Sequence, residues 1–400
     1  MGGGYTSGAN VNVYYIHGCS GNDGNSGDNN HFGSTGAWKT IQYALDQIAA
    51  DHDGTPAGNE YRIMQTNDDS TYYQLGGAHQ TDVQLVPAWS QYHEPLITGS
   101  NMNGDVDGTQ VMIGGSGGGT TLGMLQMEVQ TIDRASFANI HFNGGDTAHW
   151  CVFARPNNHY IDWVNCRFSQ AVDDGCNSVY GDNVPLEERG GQYWTFSHCR
   201  FDNNGGMGYR QHTSYASYGV FYKCLFDHND DVGGYFGYYE NIIGCVFANN
   251  GGDGCRWNNS GALMADCVFH ENGGDGLAQA GNANMGQRIN CIFSNNDHWG
   301  VNYQSTPVAK SWNDTFYGNT YGDFSYAAIA DTSLFMYTPG ASGHNPNFLD
   351  PAAANHPDFT TGADYSGHGL GMPTHFKVFG STSDDPGTHK WVKTETTSIF

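Results

Sequence analysis

The sequence has few basic residues. Lysine and arginine number 15 in the 400-residue chain, against 40 aspartates and glutamates, so the formal net charge at pH 7 is −25. A nucleic-acid-binding surface needs clustered positive charge, and so does attraction to an anionic membrane. The shortage argues against both partners, whereas an acidic surface is compatible with Ca²⁺ and with neutral glycans.

The chain also lacks long apolar segments and closely paired cysteines. No apolar run approaches the roughly 18 residues that a membrane span needs. Residues 1–5 have neither the basic nor the apolar part of a signal peptide. Ten cysteines are present without a C-x-x-C string, which argues against a metal-binding interpretation. We therefore expect reduced thiols and assembly in a reducing compartment.

What the sequence does contain is a short repeat between residues 139 and 324. Its pattern is C-x-F-x-x-N-x-x-x-G, and a repeat of this length indicates a solenoid. Cysteine and phenylalanine two residues apart share one face of a strand. We interpret the asparagine and glycine as a tight turn in which glycine adopts a positive φ. The residues predicted to stack from coil to coil are Asn204, Asn229, Asn250, Asn272, Asn296, Cys199, Cys224, Cys245, Cys267 and Cys291.

These repeat units resemble the pectate-lyase-like superfamily, which includes polysaccharide lyases and phage tailspikes. The resemblance implies an all-β fold: a single-stranded right-handed parallel β-helix solenoid with an N-terminal helical cap and a C-terminal β cap. In such a stack, asparagine amides bond along the axis and each phenylalanine lies over the next. The matching units cover a little under half of the chain, and they indicate a fold more than an activity.

The rest of the chain suggests caps at both ends of the solenoid. A helix is predicted over 37–50, because apolar residues recur there at helical spacing. The face of this helix is formed by Trp38, Ile41, Leu45 and Ile48. The long step from Cys166 to Cys199 predicts a projecting loop at 180–191. The predicted parts are 1–60 (strand, loop and capping helix), 61–338 (parallel β-helix, regular coils 139–324) and 339–400 (closing coil and β tail).

Two arginines on the repeat are the candidate catalytic bases. Arg210 and Arg256 each lie two residues after a repeat glycine, so they belong to one stripe. Resemblance to β-helix lyases implies a base acting beside Ca²⁺ held by carboxylates. The carboxylates on the neighbouring turn are Asp174, Asp230, Asp231, Asp253 and Asp275, of which Asp174, Asp253 and Asp275 are the favoured metal ligands. The alternative is that these aspartates only accept hydrogen bonds from turn N–H groups.

Aromatic residues near that stripe could stack on sugar rings of a bound polysaccharide. The candidates are Phe236, Trp257, Trp299 and Tyr303, with Tyr235 beside them. Alternation along a strand leaves open which of these side chains face outward and which fill the core.

Two functions from different classes follow. The first is a structural, surface-displayed virion protein, tailspike-like or capsid-decorating, which could also bind a glycan. It would assemble in the host cytoplasm, require no cofactor, and form a homo-oligomer such as a trimer or contact other virion proteins. The second is an extracellular polysaccharide lyase, or another carbohydrate-active enzyme, with Ca²⁺ as its candidate cofactor. The lack of a complete catalytic constellation favours the first, while frequent use of this fold in glycan cleavage keeps the second open.

Overall fold

The described part of the chain winds into stacked coils whose strands all pair in parallel. A computed structural model describes residues 12–18, 21–27, 36–50, 59–65, 73–75, 85–87, 95–101, 103–108, 110–115, 123–127, 134–154, 158–178, 193–211, 218–258, 263–280, 287–303, 310–312, 314–325 and 335–336. Equivalent residues of successive coils pair in register, as Phe226 does with Phe247. The loop predicted at 180–191 and the segment predicted at 339–400 lie outside these residues.

Three strands in each regular coil build three long sheets. Sheet A contains Val13–Ile16, Glu60–Met64, Leu96–Ser100, Ala135–Ala138, Ile161–Val164, Thr195–Ser197, Val220–Tyr222, Asn241–Ile243, Leu263–Ala265, Gln287–Ile289, Lys310–Trp312 and Phe335–Met336. Sheet B contains Tyr73–Gln74, Val111–Gly114, Ile140–Asn143, Arg167–Ser169, Arg200–Asp202, Leu225–Asp227, Val246–Ala248, Val268–His270, Ile292–Ser294 and Thr315–Tyr317. Sheet C contains Gly123–Met127, Trp150–Ala154, Cys176–Ser178, Tyr209–Gln211, Gly234–Phe236, Cys255–Asn258, Leu277–Ala280, Trp299–Tyr303 and Gly322–Phe324.

The helix at the N-terminal end spans Ile41–Ala50, four residues shorter than predicted. It begins there because the Thr40 hydroxyl accepts a hydrogen bond from the Tyr43 amide, as an N-cap residue does, while Trp38 forms a bridge with Ile16. The predicted apolar face is buried against the first coils. Among the described residues, no helix is long and apolar enough to cross a membrane.

The N-terminal strand is an integral part of the solenoid. Val13–Ile16 pairs in parallel with Glu60–Met64 and forms the edge of sheet A. The helix follows this strand in the chain and contributes Ile41, Leu45 and Ile48 to the same core. The first sheet strand therefore lies before the helix, within the segment that the sequence assigned to the cap.

Phenylalanine rings fill the centre of the regular coils. Phe201, Phe226 and Phe247 stack with centroid separations of 4.7 and 4.6 Å and interplanar angles of 2° and 5°. The five repeat cysteines are buried beside them as free thiols. Their S–H groups donate to backbone carbonyl oxygens, as Cys224 does to Phe196 at 3.4 Å. Burial raises the pKa of the Cys224 thiol, which agrees with a packing role.

The predicted asparagine ladder is present, with one asparagine per coil. The Asn250 Nδ2 donates to Asn272 Oδ1 at 3.0 Å and to the Phe226 carbonyl oxygen at 3.0 Å. Its Oδ1 accepts bonds from the Nδ2 and the backbone N of Asn229 at 2.9 and 3.2 Å. The side chains bond to adjacent coils along the axis, as the sequence predicted.

The predicted reason for the repeat glycines was wrong. Gly233 and Gly254 are not among the residues with positive φ in the described chain. A Cβ atom on Gly254 would lie 2.8 Å from both the Asn272 Nδ2 and the Gly276 carbonyl oxygen. Glycine is required because the ladder of the next coil approaches this closely. Positive φ occurs instead at the residue before each ladder asparagine, for example 55° at Asn249.

A buried ion pair lies where the cysteine repeat ends. Arg288 occupies the inward column of sheet A and is fully buried, with its Nε donating to the Asp314 carboxylate at 2.5 Å. Asp314 precedes Thr315 where the other units have cysteine, and its second oxygen accepts the Cys291 amide at 2.9 Å. The sequence repeat fades at this point because the buried guanidinium needs a carboxylate partner.

Candidate functional site

Arg210 and Arg256 lie in one column on the outer face of sheet C. Arg210 pairs with Tyr235, and Tyr235 pairs with Arg256, so one coil separates the two arginines. Their strand neighbours Tyr209 and Trp257 are buried, because alternate residues point inward. With a coil spacing of ~4.8 Å, the two arginine backbones are about 10 Å apart.

Arg256 is held by the carboxylate three residues before it. Its Nε and Nη2 donate to the Asp253 Oδ2 at 3.0 and 2.7 Å, and the arginine side chain remains 38% exposed. Burial alone would lower the pKa of Arg256, but the hydrogen bond and charge of Asp253 outweigh it and raise that pKa. The arginine is therefore firmly protonated.

Arg210 is the freer of the two arginines. Its Nη1 lies 3.7 Å from the Asp174 Oδ2, and its side chain is 47% exposed. The Asp174 carboxylate is buried and accepts closer bonds from the Met207 amide at 2.9 Å and from the Asn177 Nδ2 at 2.5 Å. Burial raises the pKa of Asp174 although these donors and Arg210 oppose that shift. Asp174 is therefore held mainly by its hydrogen bonds to Met207 and Asn177, and less by the ion pair with Arg210.

The three favoured aspartates bond to the backbone of the following coil. Asp174 accepts the Met207 amide, as described above. Asp253 Oδ1 accepts the Asp275 amide at 2.8 Å, and Asp275 Oδ1 accepts the Trp299 amide at 3.0 Å. In each case the donor is the residue at the equivalent turn position. The alternative considered from the sequence, acceptance of turn N–H groups, describes these contacts.

The three aspartates do not converge on one point. Backbone hydrogen bonds at this turn join Gly175 to Met207, Gly208 to Val232 and Gly233 to Asp253. Each of these bonds spans one coil, so Asp174 and Asp253 are three coils apart. At ~4.8 Å per coil this separation is about 14 Å, too far for a shared ion. In the described residues, no group of three or more His, Cys, Asp or Glu side chains could hold a metal. The predicted calcium triad is therefore not assembled.

The predicted aromatic sites are mostly core residues. Phe236, Trp257 and Tyr303 are buried inside the coils, so the suggestion that they contact a sugar was wrong. Each lies on the inward-facing column of sheet C, and the Trp257 indole N–H donates to the Gly237 carbonyl oxygen at 3.1 Å. Trp299 is half-buried at the first position of its strand, with its ring edge-on to Tyr321 at 5.9 Å.

A charged network on sheet B was missed. Arg167 donates to Asp202 at 2.8 and 2.5 Å, and Arg200 donates to Asp227 at 3.1 and 2.8 Å. Arg200, Asp202 and Asp227 are buried although they flank the inward phenylalanines on the outer face of the sheet. The sequence contains a signal for pairing between coils, although not for burial. Arginine occupies the middle of the Cys166 and Cys199 units, and aspartate follows the phenylalanine of the Cys199 and Cys224 units.

The family comparison decides the handedness of the coils. The family model described as "Right handed beta helix region" matches residues 129–297, which include most of the regular coils. The chain is a right-handed parallel β-helix. No curated protein matches its sequence.

Two solved structures share this β-helix fold. The pectate lyase Pel9A is 13% identical, with a TM-score of 0.62 over 88% of this chain and 90% of that protein. The ORF18 protein of Geobacillus virus E2 is also 13% identical, with a TM-score of 0.51 over 71% of this chain. This chain spans 54% of the viral protein's length. At these identities the similarity shows the fold alone.

Proposed function

We propose that this β-helix is a structural, surface-displayed virion subunit that performs no glycan cleavage. The observation that carries the proposal is the local engagement of the candidate catalytic groups. Arg256 is paired with Asp253, and the carboxylates of Asp174, Asp253 and Asp275 accept backbone N–H groups. Such contacts stabilise the stack of coils and leave no assembled metal site among the described residues.

The protonation of Arg256 also argues against lyase chemistry at this column. A general base must give up its own proton before it can accept one from the substrate. The Asp253 carboxylate raises the pKa of Arg256 further above its ordinary value, so the basic form is less populated than in a free arginine. The occurrence of the same fold in the ORF18 protein of Geobacillus virus E2 is compatible with a viral protein.

One observation favours the alternative, a polysaccharide lyase. Arg210 is half-exposed and lies 3.7 Å from its nearest carboxylate oxygen, so it could reach a bound ligand. The fold shared with a pectate lyase is compatible with this alternative.

The first experiment tests for turnover. The purified protein is incubated with uronic-acid and neutral polysaccharides in the presence of Ca²⁺, and unsaturated ends are followed by ultraviolet absorbance. We expect no product from wild type. Product that disappears in Arg210→Ala or Arg256→Ala, but persists in Arg62→Ala, would establish the lyase, because Arg62 pairs with Glu60 on sheet A.

The second experiment tests the location. Immunogold electron microscopy of purified virus particles from the native source should label the particle surface. Labelling confined to the extracellular fluid, with none on the particles, would contradict the structural proposal. Size measurement of the purified chain would separately test the proposed homo-oligomer.

A further inference from the structure

Four tyrosines form a continuous row on the outside of the coils. Tyr160, Tyr193, Tyr218 and Tyr239 each lie at the turn before a strand of sheet A. Their neighbouring rings stack with centroid separations of 4.8, 5.2 and 5.4 Å and interplanar angles of 6°, 8° and 11°. We call these residues the tyrosine row. The Arg134 guanidinium lies 5.2 Å from the centre of the Tyr160 ring and covers the first face.

The backbone of this turn does not explain the choice of tyrosine. All four residues have positive φ, between 50° and 59°, which is unfavourable for a bulky side chain. The two other turns of the coil also use positive φ, but their residues vary from coil to coil. The turn before sheet B has Asn165, His198, Lys223, Gly244 and Asp266. Glycine or asparagine would fit the tyrosine positions with less strain.

The row presents ring edges and hydroxyl groups to solvent. Each of the four residues is between 41% and 45% exposed. The ring faces of Tyr193 and Tyr218 are covered by their neighbours in the stack. Within the described residues, none of the four hydroxyl groups has a hydrogen-bond partner, although a phenol can both donate and accept. Stacking fixes the rings before any ligand arrives, which lowers the entropy lost on binding.

We propose that the tyrosine row binds one strand of a neutral polysaccharide lying along the solenoid axis. This inference rests on the proposed function and names a ligand for the surface-displayed subunit. The row is one side chain wide and four coils long, which fits a linear polymer. Its exposed area is on the order of 350 Å², since a tyrosine contributes roughly 150–250 Å² when wholly exposed. A stable protein interface needs about 800 Å² per partner.

Charge decides between neutral and anionic polymers. The protein carries a formal net charge of −25, which opposes the approach of uronic-acid polymers and nucleic acids. The row itself offers only phenol groups, with the Arg134 guanidinium engaged on the Tyr160 ring at one end. Repeated hydroxyl groups of a neutral sugar chain can exchange hydrogen bonds with the phenols, while sugar C–H groups contact the ring edges.

The test is affinity electrophoresis of the full chain in native gels containing single neutral polysaccharides: dextran, starch, galactomannan, xyloglucan or a soluble β-glucan. Alginate and polygalacturonate gels serve as anionic comparisons. The double variant Tyr193→Asn/Tyr218→Asn removes the middle of the row with a residue that tolerates positive φ. Tyr222→Asn is the matched control, because Tyr222 is 38% exposed on sheet A outside the row. Melting curves establish that each variant is folded.

We expect at least one neutral polysaccharide to retard wild type and the control equally. The double variant should bind roughly tenfold more weakly, equivalent to ~1.4 kcal/mol. Tyr193→Phe/Tyr218→Phe, which keeps the stack and removes two hydroxyls, should also bind more weakly, and it replaces the asparagine variant if that one is unfolded.

Several results would overturn the proposal. These are no retardation in any neutral gel, retardation in anionic gels alone, or equal binding by wild type and the row variants. A change of oligomeric state in the row variants without a change in retardation would identify a protein interface instead. Failure here leaves the particle labelling expected from the proposed function unaltered, so the two proposals fail separately.

Discussion

At the scale of single residues, the asparagine ladder satisfies the turns after sheet B. The buried Asn250 amide makes four hydrogen bonds, two through each of its polar atoms, with groups on the coils before and after it. A buried polar group without a partner costs about 1–3 kcal/mol. Each ladder asparagine therefore joins two turns, and its loss exposes the unpaired groups of both neighbours to an apolar interior.

The substitution Asn250→Leu tests how much the asparagine ladder contributes to the free energy of unfolding. The leucine removes the acceptor for the Asn229 amide groups and a donor to the Phe226 carbonyl oxygen, so we expect destabilisation of roughly 1–3 kcal/mol. Urea unfolding followed by circular dichroism measures the change. Asn103→Leu, at an exposed position outside the ladder, should alter stability little. Overlapping unfolding curves for Asn250→Leu and wild type would contradict the ladder.

The sequence predicted these inward residues better than the outward ones. Asparagine and cysteine recur at one position of the repeat, and stacking of equivalent coils follows directly from that. Period-two alternation cannot tell which of two faces is inward, so Trp257 remained a candidate for sugar contact although it is buried. The pairing of Arg256 with Asp253 depends on the shape of the turn before the strand. This turn brings the Asp253 carboxylate next to the arginine three residues further along the chain.

At the scale of elements, the outer face of sheet B is joined across coils by buried charge. Asp202 lies between two arginines, with Arg167 Nη2 at 2.5 Å and Arg200 Nε at 3.4 Å. Burial would raise the pKa of Asp202, but Arg167 and then Arg200 lower it well below its usual range. The ion pairs thus link three consecutive strands in addition to their backbone hydrogen bonds.

The Asp202 network predicts a pH dependence of stability. The folded pKa is depressed, so the stabilisation is fully present above the unfolded value of ~3.9 and is lost as pH falls toward the folded pKa. At pH 7, Asp202→Asn should destabilise by roughly 3–5 kcal/mol, because it leaves buried arginines without a full partner. The difference between wild type and variant should shrink between about pH 5 and pH 3.

Urea titrations at several pH values measure that difference. Asp146→Asn is the matched control, because Asp146 is exposed and asparagine tolerates its positive φ of 54°. The control should track wild type throughout. A difference for Asp202→Asn that stays constant down to pH 3 would show that the lowered pKa of Asp202 contributes nothing to folding.

The sequence predicted the presence of the N-terminal helix but not the residue at which it begins. The apolar spacing from Trp38 predicted a helix, but its first turn was lost because Trp38 bonds to the neighbouring strand. The network around Asp202 was missed for a different reason. An arginine between Cys199 and Phe201 occupies an outward position, and outward positions of a strand are ordinarily solvated, so nothing in the local pattern indicated burial.

At the scale of the whole molecule, the fold is a one-dimensional stack. Within the described residues, each strand pairs with strands of the coils before and after it, in the order of the sequence. The repeat alone therefore predicted the architecture, since every unit needs its neighbours to bury its face. The surface could not be predicted in the same way. Residues such as the tyrosine row lie outside the C-x-F-x-x-N motif, and recognising them required aligning the turns between motifs.

A stack of this kind should open from its ends. In a solenoid each coil is stabilised by two interfaces, whereas a terminal coil has one, so local opening is easier there. Cys224, Cys245 and Cys291 are buried free thiols on different coils, and each reports the opening of its own coil. Cys291 lies nearer to the C-terminal end of the described stack than Cys224 does.

We therefore expect Cys291 to react with a thiol reagent faster than Cys224 under native conditions. The folded protein is labelled without reductant for increasing times, digested, and the modified peptides are quantified by mass spectrometry. Denatured protein, in which both cysteines should react at once, is the control. Equal protection of Cys291 and Cys224 would mean that the coils open only together, because a cooperative unit exposes all its thiols in a single event. Recovery of either cysteine in a disulfide would instead contradict the packing role of the inward thiols.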